Sequence, residues 1–221
     1  MTIDHPPITS ETWKSILAAA LPVIDDLTIR VGSTPDLVLG GGTVLMLRFH
    51  HRLSRDIDFF LNDVQILSMI TPRLNDLTSR IALDYVEQAN SVKLVLKEGD
   101  IDFIVAGNIT RTNPVETIEM SNRVFLLETT EEILAKKLFY RAAHFKPRDV
   151  FDLVAVHRRD PASVASALRA SSSRKPELER RLKDLSKQAP DQLASDILPF
   201  EGFSDIIPAM VQTARDLLKT L

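Results

Sequence analysis

The sequence predicts a mixed α/β first half followed by an α-helical second half. Two observations carry the first part. Residues 55–61, Arg-Asp-Ile-Asp-Phe-Phe-Leu, alternate charged and apolar positions as a strand does, and residues 91–96 and 101–105 form two further apolar runs joined by a short polar turn. The third observation carries the second part. From Thr129 onward the chain shows helix-opening signals and proline stops, with no further alternating run.

In chain order, residues 12–29 read as a helix, with Ser10 as its cap and Pro22 as a break or kink, because proline removes a backbone donor and clashes with the preceding turn. Trp13 reads as its packing anchor. Residues 37–39 form a short apolar strand that runs into Gly40-Gly41-Gly42, and residues 43–50 a short helix. The strand at 55–61 is followed by a helix over about 66–80. In the hairpin, Gly99 is expected to supply the positive φ such a turn commonly needs. Residues 125–128 suggest one more strand. Thr129-Thr130-Glu131-Glu132 offers a capping box for a helix over 131–144, with Pro147 at its end. Helices over 149–159, 176–189 and 208–221 follow, with Ser171-Ser172-Ser173 as a loop. The expected division is a core over 1–130 and a helical region over 131–221.

Composition bounds the function. The chain has 221 residues, 44% hydrophobic and 26% charged, the balance of an ordinary globular protein. No apolar run reaches the roughly 18 residues that cross a bilayer. Residues 1–7 lack the basic start and apolar stretch of a secretion signal. With no cysteine, disulfides and thiolate metal sites are excluded, and the cytosol is the expected compartment. The net charge of −3 conceals an asymmetry: residues 134–187 hold 14 of the 27 Lys and Arg but 6 of the 30 Asp and Glu. Such a block suits a polyanion or an acidic protein, and equally a solvated basic helix face.

Three of the seven glycines stand together at 40–42, between a strand and a helix. Glycines there let the backbone approach a phosphate, and the helix start offers unpaired N–H groups and a positive dipole end, to which Thr43 adds a hydroxyl. The same residues also make a plain tight turn. This is not a Walker loop, since no Gly-Lys-Ser/Thr follows. Asp56 and Asp58, two apart on a strand, project from one face with Cα atoms about 6.6 Å apart. Carboxylates so close repel unless a cation lies between them, and Mg²⁺ favours such oxygens. Ile57 and Phe59-Phe60 are expected to bury the other face. A third acid would complete a two-ion site of the kind that serves phosphoryl displacement. Asp102, amid Ile101 and Phe103, is that candidate, ahead of Asp100 nearer the turn. Arg52, Ser54 and Arg55 precede the pair, where a cation either binds phosphate or neutralises aspartates. His50 and His51 are adjacent and point apart, which suits a structural or phosphate-proximal place better than a metal site.

Gly41-Gly42-Thr43, Asp56-Ile57-Asp58 and a single strand aspartate together resemble the catalytic signature of the DNA polymerase beta-like nucleotidyltransferase superfamily. The fuller string GGTVLMLRFHHRLSRDIDFF, followed by EEILAKKLFYRA and RDVFDL, is similar to the AbiEii/AbiGii group of type IV toxins over about residues 37–155. The resemblance implies a nucleotidyltransferase core with a mixed sheet. It implies that Gly41, Gly42 and Thr43 hold the triphosphate of an NTP, that Asp56, Asp58 and Asp102 bind Mg²⁺, expected as two ions, and that Asp102 helps activate the attacking hydroxyl. Lys137 matches the lysine of the family and would contact nucleotide phosphates, with Lys136 as its neighbour. Arg148, Asp149 and Asp152 belong to the last motif. Read from spacing alone, Lys137 and Arg141 face one way, and Arg148 and Asp152 could pair with each other.

The implied reaction moves NMP from an NTP to an RNA acceptor, foremost the tRNA 3′ end, which would block translation. A cognate antitoxin protein is the implied partner. Two other readings stand beside it: a nucleotidyltransferase that modifies a protein or small molecule, and a nucleotide-binding module without catalysis.

Overall fold

The computed structural model describes residues 8–33 and 35–221, so the stretch 1–7, where no secretion signal is expected, lies outside the described residues. The chain divides into two compact units. One comprises the described residues up to Val44, Ser54–Gly107 and Pro114–Glu128; the other comprises Leu45–Leu53, Asn108–Asn113 and Thr129–Leu221. The second unit therefore draws two short segments from within the first 130 residues.

The first unit opens with α1 (Thr12–Val31), which buries Trp13, Ile16, Leu17, Ala20, Val23, Ile24 and Leu27 along one stripe. The expected cap fails here, and so does a break at Pro22. Ser10 is not the cap: Glu11 holds that position and makes no side-chain cap bond. Nor does Pro22 end the helix, because its ring lies on the exposed side and the buried stripe outweighs one lost backbone bond. Next come β1 (Val38–Gly40) and α2 (Gly41–Phe49), which follow each other without a loop, then β2 (Ile57–Leu61). The single helix expected over 66–80 is two, α3 (Gln65–Ile70) and α4 (Asp76–Ile81). Pro72 forces Thr71 out of the helical region, at ψ 130°, and Asn75 restarts the helix by accepting from the N–H groups of Leu77 and Thr78.

The remaining strands are β3 (Asp84–Gln88), β4 (Ser91–Val95), β5 (Asp100–Val105), β6 (Glu116–Met120) and β7 (Arg123–Leu127). They join β1 and β2 in one sheet of order β3-β4-β5-β2-β1-β7-β6. The pairs β2–β5 and β1–β7 are parallel and the rest antiparallel, as expected of a mixed sheet. Ile57, Phe59 and Leu61 of β2 and Ile101 and Phe103 of β5 are buried against α1, with the Phe59 and Phe103 rings stacked 5.3 Å apart. Phe60 does not join them: the strand period puts it on the face of Asp58. Gly99 does not adopt positive φ. It is small because a Cβ there would press on Ile16 and Arg55.

The second unit is helical: α5 (Thr130–Tyr140), α6 (Pro147–Arg159), α7 (Pro161–Ala170), α8 (Lys175–Leu185), α9 (Pro190–Ala194) and α10 (Met210–Lys219). Thr129 caps α5 by accepting from the Glu132 N–H. Pro147 opens α6 instead of closing α5, its missing N–H costing nothing in a first turn. The Glu132 carboxylate is buried and accepts from Ile109 N (2.9 Å), Thr110 N (2.8 Å) and Thr110 Oγ1 (2.6 Å), which ties the 108–113 segment to α5.

Candidate active site

In the first unit, the register of the sheet gathers the acids. Asp58 on β2 lies opposite Asp102 on parallel β5, and Gly40 on β1 lies opposite Asp58 from the other side. Direct partners on neighbouring strands share a face, so Asp58 and Asp102 stand side by side. Asp102 in turn lies opposite Lys93 on β4. The Lys93 ammonium is 2.9 Å from Asp102 Oδ2 and 2.9 Å from Asp100 Oδ2. Asp56 sits one residue before β2. Its Oδ1 accepts from the Asp100 N–H at 3.2 Å and lies 3.9 Å from Arg55 Nε.

The glycine corner adjoins this group. Gly41 has φ +71°, a region that side chains other than glycine rarely enter, and a Cβ there would collide with the Asp58 carboxylate. A Cβ on Gly40 would strike Glu128 and the Phe60 ring. Thr43 is buried; its hydroxyl donates to the Asp56 carbonyl at 2.6 Å and lies 3.2 Å from Ser54 Oγ, so it ties the start of α2 to the approach of β2.

Electrostatics mark Asp102. Burial first, and the neighbouring Asp58 second, push its carboxyl up to about 6 against the pull of Lys93. Burial works against the Lys93 charge, but Asp102 and Asp100 outweigh it and hold that ammonium above its ordinary value. Two adjoining carboxylates, one of them raised by the other, are a donor set that a divalent cation would relieve. Among the described residues no three or more His, Cys, Asp or Glu side chains form a ready-made metal cage. Of the three acids expected at the metal, Asp58 and Asp102 adjoin, while Asp56 accepts from the Asp100 N–H.

The motif residues of the second unit form their own buried group. Asp152 and Asp149 on α6 are fully buried. Arg52 grips Asp152 with two bonds, Nε to Oδ1 at 2.6 Å and Nη2 to Oδ2 at 2.9 Å, while His51 Nε2 lies 2.8 Å from Oδ1. Lys137 lies 3.0 Å from Asp152 Oδ2 and 2.7 Å from Asp149 Oδ1, and Arg141 lies 3.4 Å from Asp149. Asp152 therefore pairs with Arg52, His51 and Lys137, not with Arg148, because the α6 spacing cannot compete with groups delivered to its buried side. Burial alone would raise both acids. Arg52 and Lys137 hold Asp152 well below its ordinary value, and Lys137 with Arg141 hold Asp149 below its own. Lys136 is buried too, 3.8 Å from Glu132. His50 stacks on Phe200 at 3.7 Å between ring centres.

The sequence reading did not single out Lys93. Its signal was present: a lone cation between Val92 and Leu94, which are fully buried, at the outward position of a strand.

A glycine corner thus presses on one strand carboxylate at a helix start, with a second carboxylate beside it. The family described as nucleotidyl transferase AbiEii toxin, type IV toxin–antitoxin system, matches residues 25–217. The chain belongs to this family and is a nucleotidyltransferase; membership implies an NTP substrate, usually a divalent metal, and a partner antitoxin. No curated protein matches the chain. A similar solved structure is that of an antigenic nucleotidyltransferase-like protein from Paracoccidioides brasiliensis, at 14% identity and a TM-score of 0.40, covering 90% of this chain and 100% of that one. None of the described helices is long and apolar enough to cross a membrane.

Proposed function

We propose that the enzyme transfers NMP from an NTP to the 3′ end of an RNA, foremost tRNA, in a Mg²⁺-dependent reaction, and so blocks translation in the cytosol. The observation that carries this is the pairing of Asp58 with Asp102 across parallel strands beside Gly41. Asp56 and Asp58, with Asp102, would hold the Mg²⁺ ions, which neutralise phosphate charge as the reaction proceeds. Gly41, Gly42 and Thr43 present the start of α2 to the triphosphate. The acceptor hydroxyl oxygen bonds to the α-phosphorus, the bond to the β-phosphate bridge breaks, pyrophosphate leaves, and the hydroxyl proton passes toward Asp102. In the second unit, Asp152 orients the buried Lys137 and Arg52 cations, the motif residues that the family resemblance assigns to the nucleotide. Exposed cations of the basic stretch 134–187, Arg169, Arg180 and Lys183 among them, grip the RNA backbone.

Incubation with labelled NTPs and separate tRNA, protein and small-molecule acceptors tests this reading. Label is expected on RNA, and Asp58→Ala is expected to abolish both the transfer and growth arrest. Label on protein or drug instead would assign the enzyme a different acceptor, and full toxicity of Asp58→Ala would make the chain a binding module.

A further inference from the structure

We propose that Lys93 is a positioning residue that stands in for a second cation at Asp102, so that the substrate-free enzyme takes up one divalent ion and Asp102 becomes a metal ligand only when the ammonium is displaced. This rests on the reading of Asp56, Asp58 and Asp102 as the metal site. The β4 register dictates where Lys93 points. Val92 and Leu94 are fully buried, so the strand period turns Lys93 to the face that carries Asp102 and Asp58. A slip of one residue would bury the charge and expose two core side chains, which makes this placement robust.

The ammonium is shared between two carboxylates, 2.9 Å from one oxygen of each. One of them belongs to Asp102, the acid read as a metal ligand. A tethered ammonium offsets one of their two charges and lacks the open coordination positions by which a divalent ion gathers phosphate oxygens, so it holds the acid in place without doing the work of the ion. A divalent ion that approaches Asp102 must also overcome repulsion from the ammonium at close range. The side chain is 34% exposed, which leaves it a route outward when a metal–nucleotide complex arrives. Asp102 is thus held in place and partly charge-compensated in the free enzyme, without a second resident ion.

The test is a Mn²⁺ titration of the full chain without nucleotide, read by electron paramagnetic resonance. Wild type is expected to bind one ion tightly, and Lys93→Gln two, the second at least about tenfold more tightly than in wild type; Lys93→Arg is expected to keep the wild-type stoichiometry. A Lys93→Gln titration that overlays wild type overturns the proposal. Because the glutamine variant leaves two acids facing each other, thermal melts accompany the titration. Mn²⁺ is expected to raise the Tm of Lys93→Gln by more than that of wild type, and an equal or smaller rise overturns the proposal as well. Asp58→Asn separates the two levels: if it leaves wild-type Mn²⁺ binding intact, the metal-site reading itself falls.

Discussion

Asp152 shows how one residue can organise a buried site. It carries a negative charge out of water, and the cost is offset by Arg52, His51 and Lys137 arriving from two other parts of the chain. Removing the charge leaves Arg52 and Lys137 buried with fewer partners, so Asp152→Asn is expected to lose about 3–5 kcal/mol of stability in denaturant unfolding. The pH dependence follows from the depressed pKa of the folded state. Such a group stabilises fully above its unfolded value of about 3.9, and this is lost as pH falls through the lower folded value. Wild-type stability should therefore drop steeply below about pH 4, with Asp149 adding in the same sense. The variant should show a shallower drop; an identical pH slope would remove Asp152 from this account.

At the scale of elements, the corner between β1 and α2 sets the site. The strand passes into the helix with no intervening loop, which only a residue at positive φ and without a Cβ can manage beside Asp58. Gly32, which closes α1 at φ +77° with open space around it, is the natural control. Gly32→Ala is expected to cost about 1–2 kcal/mol from backbone strain, with activity unchanged. Gly41→Ala bears the same strain and also displaces Asp58, so label transfer should fall by at least about 100-fold, the loss expected when reacting groups shift by an ångström. Equal activity of the two variants would show that the corner does not position the acid.

Across the whole molecule, the basic stretch 134–187 divides into two uses. Lys137 and Arg141 serve the buried acids, and Arg158 and Lys187 pair with Asp205 and Asp184. Arg169 on α7 and Arg180 and Lys183 on α8 lie on exposed faces. If these grip a polyanion, RNA affinity should fall steeply with salt, and Arg180→Ser with Lys183→Ser should reduce the slope of log K against log salt by up to about 2. Fluorescence anisotropy across a salt series measures this, and an unchanged slope would place the RNA elsewhere.

The strands and helices with one buried face were legible from residue order, because periodicity of 2 or 3.6 is written in the chain: β2, β4, β5 and most of α1 and α5 stand where the pattern predicts. β3 was not, since all five of its residues are exposed and it carries no alternation, and β6, mostly exposed, was missed for the same reason. The glycine corner and the acids Asp58 and Asp102 that the register sets side by side were also visible, as local spacing and as an acid amid apolar neighbours. What residue order alone could not decide was partnership. The Arg52–Asp152 bond joins residues 100 apart, and Lys93 meets Asp102 only through strand register. Local sequence determines which face a side chain takes; only the packed chain determines which charge stands opposite, because that pairing is set by burial and contact geometry between segments that are strangers in sequence.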